Sequence, residues 1–139
     1  MSSLVLDCSV TISWFMSDET SSISLDILDD VGKNGAIVPT IWQLEVGNVL
    51  LISQRNKRIT KEQRHSALYV LNELPINIDQ STSKHAWEET TELAERYSLS
   101  LYDACYLELS LRYSLPLATF DNHLKQASKS AGVLLCLQS

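Results

Sequence analysis

Short apolar runs separated by helix-length segments, two of them stopping on an aspartate, constrain this chain more than any other feature. Leu4-Val5-Leu6 runs into Asp7, and Leu117-Ala118-Thr119-Phe120 runs into Asp121. An aliphatic run of this kind reads as a strand of a parallel sheet buried on both faces. Parallel strands need long crossover connections, and helices supply them. In open sheets of this type ligands bind beyond the carboxyl ends of the strands, so acids delivered there are able to converge on a site.

The rest of the chain keeps that alternation. A strand near residues 3–7 precedes a short helix with Ile12, Trp14 and Phe15, then a helix around 19–31 with Ile23, Ile27, Leu28 and Val31 at helical spacing. Ala36-Ile37-Val38-Pro39 reads as the second strand, and an apolar helix fills residues 40–55. Thr60 and Gln63 form a capping box that opens the next helix, which Pro75 stops. Ile76-Asn77-Ile78 is a third, alternating strand. A helix over 82–97 and another opened by Ser100 follow, then the strand 117–120, a helix carrying Leu124, Ala127 and Ala131, and a last strand Val133-Leu134-Leu135-Cys136. The expectation is one domain over residues 1–139, α/β in class, with a central parallel five-stranded sheet covered by helices on both faces.

Composition narrows the chemistry. With 139 residues and 45% hydrophobic content the chain is large enough to bury a core. No stretch approaches the roughly 20 apolar residues of a membrane span, and no secretory signal is visible, so a cytoplasmic protein is expected. Three cysteines, Cys8, Cys105 and Cys136, lack CxxC spacing and suit reduced, buried thiols. The net charge of −6 argues against non-specific nucleic-acid binding, although bound cations would offset part of it. Arg55-Asn56-Lys57-Arg58 is the best local candidate for backbone contact, although a solvated helix end favoured by the helix dipole is the simpler reading of it. No GxSxG elbow, phosphate loop or GxGxxG fingerprint is present, and His65, His85 and His123 lack zinc-site spacing.

Four acids then stand out. Asp7 and Asp121 each have an ordinary explanation as helix N-caps, and Asp103 as the partner of Ser100 in a capping box. Glu45 is harder to explain so. It lies in Ile41-Trp42-Gln43-Leu44-Glu45-Val46-Gly47-Asn48-Val49-Leu50-Leu51-Ile52, a helix apolar on nearly every face and so expected to be buried on more than one side. An ionised carboxylate there is costly unless paired, protonated or bound to metal. Asn48, three residues on, shares its face. Four carboxylates packed together would raise each other's pKa, and a divalent cation relieves that repulsion. Oxygen-only ligation favours Mg²⁺ or Mn²⁺.

The chain resembles PIN-domain proteins, and among them the VapC-type toxin ribonucleases of type II toxin–antitoxin pairs. The resemblance rests on Val5-Leu6-Asp7-Cys8-Ser9-Val10, Glu45-Val46-Gly47-Asn48-Val49-Leu50, Leu99-Ser100-Leu101-Tyr102-Asp103-Ala104-Cys105-Tyr106-Leu107 and Pro116-Leu117-Ala118-Thr119-Phe120-Asp121. It runs from about residue 4 to 136 with order and spacing kept. It implies a three-layer α/β/α sandwich and a Mg²⁺- or Mn²⁺-dependent endoribonuclease with Asp7, Glu45, Asp103 and Asp121 as its acidic quartet. Ser9, Asn48 and Thr119 match accessory polar positions. The resemblance also implies a homodimer and a cognate antitoxin that occupies the active-site groove. Some relatives carry a further acid just after the T-x-D aspartate. Asn122-His123 supplies none here, so one metal or two stays open.

Two rival readings stand beside the nuclease. One is an inert PIN-like module acting only through protein or RNA contacts, whose mark would be loss of one or more acids. The other is a metal-dependent phosphatase or DNase using the same carboxylates.

Overall fold

The computed structural model describes residues 2–136. Four strands, β1 (Val5–Leu6), β2 (Ala36–Val38), β3 (Ile76–Ile78) and β4 (Leu117–Ala118), form one sheet in the order β3-β2-β1-β4. Every pairing is parallel, with Val5 opposite both Ile37 and Leu117. Helices cover the sheet in an α/β/α sandwich. They are α1 (Cys8–Ser13), α2 (Ser22–Asn34), α3 (Trp42–Arg55), α4 (Lys61–Glu73), α5 (Thr82–His85), α6 (Thr91–Tyr97), α7 (Leu101–Tyr113) and α8 (Asn122–Ser130).

The sheet has four strands where five were expected. Val133-Leu134-Leu135-Cys136 does not form a strand; Leu135 makes a single parallel bridge to Leu117. Two facts account for this. The neighbouring β4 is only two residues long, because Thr119 and Phe120 leave the ladder to serve the rim, and Leu134, one of the four residues in the run, is 77% exposed. The helix expected over 82–97 is likewise divided. A π turn at Ala86–Thr90 separates α5 from α6, and the Thr91 hydroxyl donates to the carbonyl of Ala86 inside the widened turn.

Helix ends follow local chemistry. Thr60 and Gln63 cap α4 reciprocally as expected, and Ser21 and Ser24 do the same for α2. At α7 only half of the expected box forms: Ser100 Oγ accepts from the Asp103 N–H at 3.0 Å, and the Asp103 carboxylate is left for other work.

Burial sorts the helices. α7 is the central one, buried continuously from Ala104 to Ser110, with Tyr106, Leu107 and Leu109 wholly inside. α3 departs from its expected all-round burial. It buries Trp42, Val46, Leu50 and Ser53, yet exposes a stripe of Leu44, Asn48 and Ile52 at helical spacing.

A charged cluster absent from the sequence reading ties α7 to the edge of the sheet. Asp79, directly after β3, is buried and receives two bonds from Arg112, Nη1 to Oδ1 at 3.0 Å and Nη2 to Oδ2 at 2.7 Å. Arg112 also donates to both carboxylate oxygens of buried Glu108 at 2.9 Å. Burial alone would push the Asp79 pKa up, but hydrogen bonds from Arg112 and Thr82 outweigh it and hold the group below its ordinary value. Removing the guanidinium would leave two buried carboxylates facing one another. Arg112→Met is therefore expected to cost about 3 kcal/mol in urea unfolding at neutral pH; a loss under about 1 kcal/mol would show that the cluster carries little of the fold.

Candidate functional site

β1 lies in the sheet interior with β4 beside it, so the residues that leave these strands emerge next to each other at one rim. Asp7 follows β1, and its N–H donates to the Ala118 carbonyl at 3.0 Å. Its side chain is almost wholly buried. Oδ1 accepts from the Cys8 N–H at 2.8 Å and so caps α1, while Oδ2 accepts from Ser9 Oγ at 2.7 Å and Thr119 Oγ1 at 2.6 Å. The same two hydroxyls accept from the backbone beyond β4: Phe120 N–H to Ser9 Oγ at 3.0 Å, Asp121 N–H to Thr119 Oγ1 at 3.1 Å. One carboxylate thus fixes the turn that presents the next. Ser9 and Thr119, expected as accessory residues, sit in direct contact with Asp7.

Asp121 is exposed. Its Oδ1 caps α8 by accepting from the Leu124 N–H at 2.9 Å, and Oδ2 accepts no protein hydrogen bond among the described residues. Capping, the ordinary explanation for Asp7 and Asp121, is therefore true of one oxygen of each; the other is open in Asp121 and taken by Ser9 and Thr119 in Asp7. Glu45 is half-buried near the start of α3 and accepts a 2.5 Å bond from the Tyr106 hydroxyl. Asp103 is half-buried in the first turn of α7. Asn48 is exposed and makes no hydrogen bond among the described residues.

These acids feel one another. Burial raises the Asp7 pKa against the pull of its three hydrogen bonds, and the Asp121 charge adds to the rise. Burial raises Glu45 too, with Asp7 and Asp103 pushing in the same direction. Asp103 is raised by burial, then by Asp121 and Asp7, against smaller opposing effects of Ser100 and His123. The four side chains, drawn from β1, α3, α7 and the β4–α8 turn, share one electrostatic field. They do not, as placed, close on a common point: among the described residues no three His, Cys, Asp or Glu side chains are positioned to hold a metal ion. Asp7 spends both oxygens on protein donors and Glu45 one of its two, which is how crowded carboxylates lower their repulsion without a counter-ion.

The chemistry of the donors still fits a hard divalent cation. The oxygens left without protein partners belong to Glu45, Asp103 and Asp121, and no soft ligand competes. Cys8, beside Asp7, has its thiol pushed up to about 12 by burial and by the neighbouring acids, which keeps it protonated near neutral pH in the metal-free protein. Sequence reading gave Tyr106 no role. The signal was its place three residues after Asp103, on one face of α7. Asp79 is the mirror case, an acid at the end of a strand like Asp7, but neutralised by Arg112.

A PIN-domain family profile matches residues 4–130, and the chain belongs to that family. Its fold is similar to a solved structure, PAE2754 from Pyrobaculum aerophilum, at 18% sequence identity and a TM-score of 0.70, covering 97% of this chain and 84% of that one. No curated protein matches the sequence.

The raised carboxylates make a prediction about stability. An acid whose folded pKa lies above its unfolded value contributes stability at low pH that is lost as pH rises through the folded pKa. In metal-free protein, Asp103→Asn removes one such group without changing its shape. The variant should gain stability relative to the parent as pH rises from about 4 to 8. Urea unfolding across that range measures it, and a difference independent of pH would contradict the assigned environment.

Proposed function

We propose that this protein is a Mg²⁺- or Mn²⁺-dependent endoribonuclease, the toxin component of a type II toxin–antitoxin pair, hydrolysing RNA phosphodiester bonds at the rim bounded by Asp7, Glu45, Asp103 and Asp121. One observation carries the reading: carboxylates from four separate segments crowd the carboxyl edge of a parallel sheet, and Asp7, Glu45 and Asp103 hold their protons more tightly for it. Folding tolerates such crowding at a cost, and a site for a cation gives that cost a purpose. A bound divalent cation would supply Lewis-acid charge for the scissile phosphate and acidify a water.

The chain's own residues would divide the remaining work. Glu45, Asp103 and Asp121 offer free oxygens as ligands, and Asp7 would join them by giving up part of its hold on the two hydroxyls. Ser9 and Thr119 orient the Asp7 carboxylate, and Tyr106 fixes Glu45. One of the carboxylates would accept the proton of the attacking water, and Asp103, half-buried with no hydrogen bond to its carboxylate from a protein donor among the described residues, is free to do so.

A cognate antitoxin and a second copy of the chain belong to the same reading. Their support is the exposed apolar surface flanking the acids: Leu44 beside Glu45, and Leu101 and Tyr102 beside Asp103. No described helix is long and apolar enough to cross a membrane, and a cytoplasmic location is part of the proposal. The inert binding module draws on that same apolar surface, and activity separates the two.

Purified protein should cut single-stranded RNA with Mn²⁺ and stop when the cation is chelated, with DNA and a phosphomonoester assayed alongside. Asp7→Asn should reduce cleavage to background. Thr119→Val, which removes one orienting hydroxyl, should lower it by about 10- to 100-fold. Full RNase activity in Asp7→Asn would refute the assignment, and inactivity of the parent on RNA with preference for either other substrate would redirect it.

A further inference from the structure

Nearly half of the cations of this acidic chain are gathered in one segment. Of 11 Lys and Arg residues, Arg55, Lys57, Arg58, Lys61 and Arg64 fall within ten positions, with Glu62 the sole acid among them. The structure folds this segment into a compact corner. α3 ends at Arg55, Lys57 takes a left-handed conformation at φ 61°, and α4 begins at Lys61. The Lys57 N–H donates to Gln54 and the Arg58 N–H to Ser53, satisfying the last carbonyls of α3 in a Schellman arrangement. The corner is fixed, and its side chains project from a defined frame.

An open cavity of about 340 Å³ lies in this corner, lined by Gln54, Lys57, Arg58, Thr60, Lys61 and Gln63 together with the apolar Ile59. Arg58 is already engaged with Asp18 and Glu19, at 3.0 and 3.1 Å. Arg55, Lys57, Lys61 and Arg64 make no ion pair among the described residues. Amide and hydroxyl groups stand between the charges, and Ile59, the one apolar side chain in the lining, is mostly covered by the core. A protein partner would want a large apolar anchor pocket, and here the apolar lining is limited to Ile59, itself mostly covered. A phosphodiester backbone wants spaced cations and hydrogen-bond donors, which it has.

Glu45 and Arg55 lie ten residues apart on α3, about 15 Å along one rigid axis. A strand crossing the acidic rim would reach the basic corner within a few nucleotides. We propose that the α3–α4 corner is an RNA backbone-binding surface, separate from the acidic rim, that holds single-stranded substrate through Lys57, Lys61, Arg55 and Arg64. It rests on the nuclease reading for its biological sense, but its affinity does not depend on a metal or on turnover. It also explains how a chain of net charge −6 would retain a polyanion whose scissile group must enter a field of carboxylates.

The test is binding of a fluorescein-labelled single-stranded RNA of about twenty nucleotides, followed by anisotropy in EDTA between about 50 and 200 mM salt. Lys57→Gln/Lys61→Gln should weaken binding about tenfold or more at the low end. It should also make the slope of log K against log salt shallower by about 1.4, at roughly 0.7 for each phosphate no longer neutralised. Lys84→Gln/Lys129→Gln, exposed lysines on other elements, should stay within about twofold of the parent with its slope unchanged. Equal binding by the corner variant and the parent, or equal loss in both pairs, overturns the proposal. So does displacement of the RNA by poly-glutamate at matched charge, which would assign the corner to an acidic peptide. If the corner variant loses RNA while the parent never cuts it, the surface stands and the nuclease reading falls. If the parent cuts RNA and the corner variant binds it undiminished, the surface alone falls.

Discussion

A carboxylate at the end of an interior strand is the point on which the rim of this molecule turns. Asp7 is buried, and taking its charge from water would be prohibitive without compensation. Three donors supply it: the first amide of α1 and the hydroxyls of Ser9 and Thr119. Those hydroxyls in turn receive the amides of Phe120 and Asp121, so the segment leaving β4 is shaped by the group at the end of β1. Capping, strand pairing and site assembly are one hydrogen-bond network here, and loss of any member would be felt by the others.

The contrast between Asp7 and Asp79 shows how the same local pattern reaches two fates. Both follow buried or half-buried strands, and both are almost fully covered. Asp79 meets a bidentate guanidinium and is held ionised, a pairing that fastens α7 to the edge strand. Asp7 meets only neutral donors and other acids, and its proton affinity rises. The fold neutralises one strand-end acid with arginine and leaves four others without a cation among the described residues, eased only by neutral donors to Asp7, Glu45 and Asp121. That contrast is the electrostatic pattern on which the proposed site rests.

Much of this was legible in the order of residues. Strand runs ending in acids, the Thr60–Gln63 box and the apolar stripes mark elements through purely local rules, and the PIN-domain family follows from motifs that keep their order. What escaped depends on partners distant in the chain. Arg112 lies 33 positions from Asp79, and no local rule joins them. Tyr106 looks like one more core residue of α7 until its hydroxyl is seen on Glu45. Counting apolar residues in α3 overstated its burial, because hydrophobicity does not say whether a face is covered, and Leu44 and Ile52 are exposed. The fifth strand failed for a related reason: Val133 to Cys136 has strand chemistry but only a two-residue neighbour to pair with.

The central claim is that Asp7, Glu45, Asp103 and Asp121 surround a single place for a cation. Anomalous diffraction from crystals soaked in a manganese salt tests it without reference to any reaction. The account predicts an anomalous peak bounded by carboxylate oxygens of these residues, with Asp7 turned from its present donors toward it. Manganese bound elsewhere with this rim empty at saturating concentration, and the carboxylates still directed at Ser9, Thr119 and Tyr106, would contradict it.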